Sequence, residues 1–100
     1  MYDMNNLKKL AKFAELAPEA WKAFVAFDEA VVKGGAIPLK YKELMAVAVA
    51  LTTQCPYCIE IHSTKARKAG ATERELAETT LLAAALRAGG AVTHGTHALG

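Results

Sequence analysis

The chain has few of the features that mark secreted, membrane-spanning or nucleic-acid-binding proteins. It has only two cysteines, Cys55 and Cys58, and its longest apolar run, 44–51, is too short to cross a membrane. Lys and Arg number 12 against 10 Asp and Glu, so no charge excess favours a nucleic acid partner. The first residues lack the basic and apolar regions of a signal peptide. We therefore expect a cytoplasmic protein with neither nucleic acid nor membrane as a partner.

Aromatic residues are also scarce, at 7% of the chain, although 53% of its 100 residues are hydrophobic. Alanine supplies 21 of those hydrophobic residues, and it is the best helix former and is depleted in strands. The composition therefore excludes a disordered segment and a many-stranded barrel, and it predicts one all-α domain over residues 1–100. Because alanine fills little core volume, we expect this domain to bury one face against copies of itself.

Hydrophobic spacing and capping residues predict a compact bundle of about five to six helices. The aromatic stripe of the second helix, Trp21, Phe24 and Phe27, is interpreted as core. The predicted helices are a first ending before Pro18, a second closed by Gly34-Gly35, a third over 40–53, a fourth starting at Pro56 and ending before Gly70, a fifth from a Thr72–Glu75 capping box to Gly89-Gly90, and a short last one within 91–99.

The reactive side chains concentrate between Glu43 and His62, in the order Glu, eleven residues, Cys-Pro-Tyr-Cys, three residues, His. We predict that Cys55 caps the fourth helix, which places Cys58 in its first turn. The positive end of the helix dipole is then expected to lower the pKa of Cys58. His62 follows Cys58 by four residues, so its imidazole shares a helical face with that sulfur. The spacing makes Cys58 the candidate activated thiol.

Glu43 is brought into this group by the predicted hairpin between the third and fourth helices. In two antiparallel helices folded about residues 52–53, residues whose numbers sum to about 105 face each other, which pairs Glu43 with His62. A carboxylate at this position would orient the imidazole and stabilise its protonated form. We therefore predict a proton relay from Glu43 through His62 to Cys58, with Cys55 close enough to resolve an oxidised Cys58 as a disulfide.

Other interpretations of the same residues stay open. The two cysteines and His62 could bind zinc with a fourth ligand from Glu43, His94 or His97, although no second ligand pair has the spacing of a zinc finger. Cys58 could also be an inert buried thiol. We predict a reactive thiol site that needs no metal or cofactor, with a zinc-stabilised or redox-sensing helical module as the alternative.

The order Glu43, Cys55-x-x-Cys58 and His62, in a Leu-Met-Ala-Val-Ala-Val-Ala helix and before an Ala-Gly-Gly-Ala-Val-x-His-Gly tail, resembles the AhpD-like (alkylhydroperoxidase-type) proteins of the carboxymuconolactone decarboxylase superfamily. The resemblance implies an all-α fold that assembles as trimers or hexamers. It implies peroxidase or disulfide reductase activity, with Cys58 attacking the peroxide and Cys55 as proton donor and resolving partner. A lipoyl or thioredoxin-like thiol is then the external reductant.

The chain departs from this resemblance at Tyr57, where well-studied alkylhydroperoxidases carry a histidine beside the second cysteine. A tyrosine hydroxyl is a poor base at neutral pH, so one member of the relay is absent. His94 and His97 are interpreted as a half-exposed pair on the last helix. The predicted function is a thiol-dependent peroxidase acting on a hydroperoxide. The alternatives are a disulfide reductase and a decarboxylase-like enzyme that uses Glu43 and His62 as acid and base.

Overall fold

A computed structural model describes residues 2–100, which are helical over most of their length and contain no strand. The predicted all-α fold is confirmed. Its elements are a 3-10 helix Met4–Leu10, α1 Ala11–Leu16, α2 Pro18–Val32, α3 Leu39–Thr53, α4 Pro56–Lys68, α5 Glu73–His94 and a last 3-10 helix Gly95–Ala98.

The core lies between α3, α4 and α5. The α3–α4 contact and the α3–α5 contact are the two most extensive contacts between elements of the structure. Small side chains dominate this contact, which lets the helix backbones approach closely. Glu43 is the only charged side chain among the residues 2–100 that is buried there. The buried apolar residues are Leu44, Val47, Ala50, Ala66 and Ala83.

The ends of α4 follow the predicted capping chemistry. Cys55 is the N-cap of this helix, and Pro56 occupies a first-turn position where its missing N–H costs nothing. At the other end Gly70 has a φ of 98°, a left-handed conformation that glycine adopts without strain. The N–H groups of Gly70 and Ala71 donate to the carbonyls of Arg67 and Ala66, which closes the helix as a Schellman motif.

The Thr72–Glu75 capping box at the start of α5 is also confirmed, with both reciprocal hydrogen bonds formed at 2.9 and 3.1 Å. The predicted end of this helix is wrong. The helix continues through Gly89 and Gly90 to His94, so the separate last helix is only the 3-10 turn Gly95–Ala98. Neither glycine has a positive φ, and the alanines around them have high enough helix propensity to carry the helix onward.

The first helix is also not one regular α-helix. Its first half, Met4–Leu10, is a 3-10 helix whose N-cap Asp3 accepts a hydrogen bond from the N–H of Asn5 at 2.9 Å. The second half, Ala11–Leu16, is α-helical and ends before Pro18 as predicted. A 3-10 run of seven residues is long for this geometry, and one side-chain hydrogen bond, from Asn6 to Tyr57, joins it to α4.

The aromatic stripe on α2 is not the core of the single chain. Phe24 and Phe27 are 56% and 66% exposed, and only Trp21 is half-buried, stacked between Phe13 and Phe24. The reason is that α2 packs mainly against the short α1 and contacts α3 only slightly. The periodicity correctly identified an apolar face, but among residues 2–100 only the Trp21 end of this face is covered, by Phe13 of α1.

The overall dimensions reflect this arrangement. The radius of gyration is 16.5 Å and the longest extent is 53 Å, whereas a 100-residue domain with all its elements packed together would have a radius of about 13 Å. Among the described residues, no helix is both long and apolar enough to cross a membrane.

Candidate functional site

The centre of the site is a hydrogen-bonded pair formed by Glu43 on α3 and His62 on α4. Glu43 Oε2 lies 2.7 Å from His62 Nδ1, and the Glu43 side chain is 2% exposed. A buried carboxylate requires a hydrogen-bond partner, and His62 supplies it. The pairing predicted from antiparallel hairpin geometry is therefore confirmed. Because His62 Nδ1 faces the carboxylate, the other ring nitrogen is left for chemistry on the opposite side of the imidazole.

The two cysteines form the second pair, at the first turn of α4. Both are free thiols, half-buried, with their sulfur atoms 2.8 Å apart in an S–H···S hydrogen bond. Cys55 Sγ also accepts a hydrogen bond from the backbone N–H of Cys58 at 3.3 Å. A cysteine side chain thus performs the capping role that Ser, Thr, Asp or Asn usually performs. The partial positive charge at the N-terminus of α4 therefore acts mainly on the Cys55 sulfur.

This arrangement reverses the predicted acidity of the two thiols. The prediction that helix capping lowers the pKa of Cys58 is wrong. The hydrogen bond to Cys55, burial and the nearby charge of Cys55 raise the pKa of Cys58 to about 11. The hydrogen bonds from the Cys58 side chain and backbone lower the pKa of Cys55 instead. These contacts therefore favour a thiolate on Cys55 over a thiolate on Cys58.

All four predicted site residues belong to the α3–α4 hairpin and its turn. Among residues 2–100, no hydrogen bond joins the Glu43–His62 pair to the Cys55–Cys58 pair. The connection is through α4 itself, since His62 follows Cys58 by one helical turn on the same face. The site thus combines an acid–base pair and a dithiol on adjacent turns of one helix.

Tyr57, between the two cysteines, faces the N-terminal segment. Its hydroxyl accepts a hydrogen bond from Asn6 Nδ2 at 3.0 Å, and its ring meets that of Tyr2 edge-on with centroids 5.8 Å apart. A cavity of about 300 Å³ lies here, lined by Asn6, Leu7, Leu10, Tyr57, Cys58 and Ile61. Cys58 is thus the cysteine that borders a cavity large enough for a small organic molecule.

Three contributors to this site were not predicted from the sequence. Asn6 is one, and a second is Arg87 on α5, whose guanidinium donates a hydrogen bond to the carbonyl of Thr52 at the end of α3. The third is Asp28 on α2, whose negative charge contributes to the raised pKa of Cys58. Each of these residues is distant in sequence from the cysteines, and no local pattern connects them to the motif.

His94 and His97 lie together at the end of α5 and in the last 3-10 helix, with ring centroids 6.0 Å apart. Both are exposed, and His94 Nδ1 lies 3.3 Å from the carbonyl of Gly90 on its own helix. Within the part of the chain that the structure describes, no three His, Cys, Asp or Glu side chains lie close enough to hold a metal ion.

The helical hairpin, the buried Glu–His pair and the helix-capping Cys-x-x-Cys define an all-α protein with a dithiol site. The chain belongs to the carboxymuconolactone decarboxylase family, whose model matches residues 18–99. This match confirms the family resemblance stated from the motif, and it covers all four predicted site residues.

Curated relatives support the same membership. A Paracoccus denitrificans protein, uncharacterized protein 4 in cox locus, is 47% identical over 77 residues, which are 77% of this chain and 69% of the relative. An uncharacterized protein of Cupriavidus necator is 32% identical over 71 residues, 71% of this chain and 63% of that protein. Their names assign no activity, so the reaction has to be argued from the site.

Two solved structures share the fold. A carboxymuconolactone decarboxylase family protein from Legionella pneumophila, crystallised in its apo form, matches with a TM-score of 0.77 and 40% identity over 82% of this chain and 73% of its own. A protein from Methanobacterium thermoautotrophicum, a structural genomics target, matches with a TM-score of 0.82 and 36% identity over 88% of this chain and 99% of its own.

Proposed function

We propose that the protein is a thiol-dependent peroxidase that reduces a hydroperoxide with Cys58 and Cys55. The observation that carries the proposal is the pair of free thiols with sulfur atoms 2.8 Å apart, next to a buried Glu43–His62 pair. Two thiols at this separation need little backbone movement to join as a disulfide. A buried thiol without chemical function would require neither a second thiol nor an acid–base pair nearby.

Cys58 is the peroxide-attacking residue in this proposal, because it borders the cavity next to Tyr57. Its raised pKa requires a base, and the Cys55 thiolate is in hydrogen-bond contact with it. Transfer of the shared proton to Cys55 produces the Cys58 thiolate at the moment of attack. His62, one turn along the same helix face and held by Glu43, is the second group that can accept or return a proton.

The reaction balances as two steps. Cys58 sulfur attacks the terminal oxygen of the hydroperoxide, the O–O bond breaks, and the leaving alkoxide takes the proton held by Cys55, giving an alcohol and a Cys58 sulfenic acid. The Cys55 thiolate then attacks the Cys58 sulfur and forms the disulfide, and the leaving hydroxide takes a proton returned by His62 to become water. An external dithiol of the lipoyl or thioredoxin-like class supplies the two electrons that restore the thiols.

The test is hydroperoxide consumption in the presence of a dithiol reductant, with free thiols counted before and after peroxide and zinc quantified in the same preparation. We expect the wild type to lose two thiols per chain and the turnover to vanish in Cys58→Ser. In Cys55→Ser, peroxide should convert Cys58 to a sulfenic acid that a dimedone probe traps. Absence of turnover together with about one zinc per chain would overturn the proposal and indicate a metal module.

A second candidate is acid–base chemistry on an anionic substrate by Glu43 and His62, as in a decarboxylase-like enzyme. It is favoured by a separate cavity of about 340 Å³ in which Glu43 lies with Lys65 and Lys68, two ammonium groups that attract a carboxylate. A Cys55→Ser/Cys58→Ser double variant separates the two functions. Carboxylate turnover that survives this substitution would support the second candidate, and peroxide turnover cannot survive it.

We also propose that the active form is a homo-oligomer, with a trimer or hexamer implied by the family resemblance. A groove between α3 and α5 is lined by Ala48, Val49, Ala83 and Leu86, and Val49 and Leu86 are 60% and 65% exposed. Apolar side chains this exposed on a continuous helical face are typical of a surface that another copy covers. Further exposed large apolar residues on α2 and α5 are Phe24, Phe27, Leu81, Leu82 and Val92.

A further inference from the structure

The N-terminal 3-10 helix, Met4–Leu10, contacts Tyr57, one of the two residues between the cysteines. Asn6 donates its side-chain hydrogen bond to the Tyr57 hydroxyl at 3.0 Å, and the Tyr2 ring meets the Tyr57 ring edge-on. Asn6 and Leu7 are half-buried by this contact, whereas the residues of α1 that follow are all exposed. The segment is therefore held over the start of α4 by specific contacts made at Tyr57.

These contacts create the cavity of about 300 Å³ next to Cys58. Leu7 and Leu10 are three residues apart on the 3-10 helix and share a side of it, while Cys58 and Ile61 are one turn apart on α4. Apart from the Asn6 amide and the Tyr57 hydroxyl, which are joined by one hydrogen bond, the cavity presents hydrocarbon and the Cys58 sulfur. Its size is at the lower end of the range for small-molecule sites.

One wall of this cavity lies outside the part of the chain that the family model matches. That match begins at residue 18, whereas Asn6, Leu7 and Leu10 precede it. The opposite wall, with Tyr57, Cys58 and Ile61, lies within the matched region. The cavity is thus assembled from the region that the family model matches and from a preceding segment of this chain.

We propose that this cavity binds an uncharged hydrocarbon group of the substrate that Cys58 attacks, and that Leu7 and Leu10 are the residues that determine its size. The inference rests on the proposed function of Cys58. Apolar walls stabilise a bound group in proportion to the apolar area it removes from water, so a hydroperoxide with a branched or aromatic group gains binding energy that hydrogen peroxide does not. No charged side chain lines the cavity, so a charged group would lose hydration there without gaining an ion pair, which disfavours it.

The experiment compares kcat/KM for cumene hydroperoxide with that for hydrogen peroxide in matched variants. In Leu7→Asp, which places a charge in the cavity wall, we expect this ratio to fall by about tenfold, the scale of losing apolar contacts in a pocket. Leu16→Asp is the control, because Leu16 is 81% exposed on α1 and does not line the cavity. Its ratio should equal that of the wild type.

Leu7→Ala is a second variant that adds no charge and enlarges the cavity. We expect it to favour cumene hydroperoxide over the smaller tert-butyl hydroperoxide more strongly than the wild type does, because the added space admits the larger group. Far-ultraviolet circular dichroism of each variant verifies that it has the wild-type helix content. If Leu7→Asp does not fold, the preference of Leu7→Ala for cumene hydroperoxide over tert-butyl hydroperoxide still tests whether Leu7 limits the size of the bound group. A preference equal to that of the wild type would contradict this role of Leu7.

A binding measurement distinguishes failure of this inference from failure of the proposed function. Cumyl alcohol, the alcohol formed from cumene hydroperoxide, is titrated into reduced protein while backbone amide resonances are followed by NMR. We expect shifts in residues 6–10 and 57–61 of the wild type and Leu16→Asp, and none in Leu7→Asp. Shifts without peroxide turnover would support the cavity and overturn the peroxidase.

Turnover with an unchanged substrate ratio in Leu7→Asp, and no shifts at residues 6–10, would overturn the cavity assignment and leave the peroxidase standing. The cavity assignment is also overturned if Leu7→Asp changes only the molar mass measured by light scattering. In that case the occupant of the cavity is a second copy of the chain and not a substrate.

Discussion

At the scale of single residues, the proton between Cys55 and Cys58 is shared unequally. The N–H of Cys58 points at Cys55 Sγ, so the charge of a thiolate is better stabilised on Cys55. Cys58, deeper in the protein and next to that charge, is the thiol that resists ionisation. The hydrogen bond that raises the pKa of Cys58 also provides a path by which the Cys58 proton can move to Cys55.

This sharing predicts how each thiol responds to loss of the other. In Cys55→Ser the neighbouring negative charge is absent, so the pKa of Cys58 should fall from about 11 toward its ordinary value of 9.0. In Cys58→Ser a hydroxyl, which is a stronger hydrogen-bond donor than a thiol, replaces the partner of Cys55, so the pKa of Cys55 should stay below its ordinary value. Iodoacetamide alkylation rates measured against pH give both values. A Cys58 pKa that stays near 11 in Cys55→Ser would contradict the shared-proton description.

The order in which the two cysteines of the wild type become alkylated as pH rises can also be predicted. Thiolate increases with pH, so Cys55 should react first as pH rises, below the ordinary range of a thiol, because its pKa is lowered. Cys58 should become reactive only near pH 11. Peptide mapping of the alkylated protein at a series of pH values assigns each phase to its cysteine, and Cys58 reacting first would reverse the assignment.

Glu43 and His62 depend on each other for stability. His62→Ala leaves the buried Glu43 carboxylate, 2% exposed, without its 2.7 Å partner, which we expect to lower the free energy of unfolding by about 3 kcal/mol. The cost should be clearly smaller in a Glu43→Gln background, since no buried charge then remains. Urea unfolding of the two single variants and the double variant measures the coupling, and additive costs would show that the pair does not interact energetically.

At the scale of whole elements, α5 is the longest helix and carries two adjacent glycines in its interior. A Cβ added at Gly89 or Gly90 meets no atom within 4 Å, and both residues have helical backbone angles. The conformational entropy that these two glycines lose on folding therefore lowers the stability of the helix, and no close contact among the described residues requires glycine there.

Gly89→Ala and Gly90→Ala should each raise the free energy of unfolding by about 0.5 to 1 kcal/mol, since alanine narrows the unfolded ensemble and suits a helix. Gly70→Ala is the matched contrast, because φ at Gly70 is +98°. That substitution should lower the free energy of unfolding by about 1 kcal/mol or more. Chemical denaturation measures all three, and a loss of stability in both α5 variants would indicate that another surface packs closely on these glycines.

At the scale of the whole molecule, the chain leaves much of its apolar surface exposed. Only five apolar residues are buried among residues 2–100, and three of them are alanine. Large apolar side chains on α2 and α5 are exposed among residues 2–100, and folding of a 100-residue protein on so small a core is marginal. We expect self-association to supply the missing burial.

We expect Leu86→Glu, in the groove between α3 and α5, to lower the molar mass in solution toward that of the 10.6 kDa monomer. A charge at a buried apolar contact cannot be compensated, and removing the contact makes Tm depend less on protein concentration. Leu99→Glu, at a side chain that is 77% exposed after the last helix, is the control. Light scattering and melting at several concentrations measure both effects. A wild type that is monomeric at all concentrations would refute self-association.

Local sequence patterns predicted most of the fold and the contact between Glu43 and His62. Cys55-Pro56, the Thr72–Glu75 box and Gly70 each determine a helix end through contacts within a few residues, so these boundaries could be predicted without knowledge of the tertiary structure. The contact between Glu43 and His62 could be predicted because two helices joined by a short turn pack antiparallel to each other. Gly89-Gly90 failed as a stop signal because helix propagation through alanine outweighed two weak helix formers.

Composition and local spacing are sufficient to establish that the chain is all-α, that a Cys-x-x-Cys begins a helix and that a glutamate and a histidine meet across a hairpin. Which cysteine better stabilises a thiolate depends on three-dimensional contacts, namely where the Cys58 N–H points and how deeply each sulfur lies. Three-dimensional contacts also place the N-terminal segment beside Cys58, where it lines a cavity, since Asn6 reaches a residue 51 positions away. Periodicity identifies an apolar face, and only packing in three dimensions shows what covers that face.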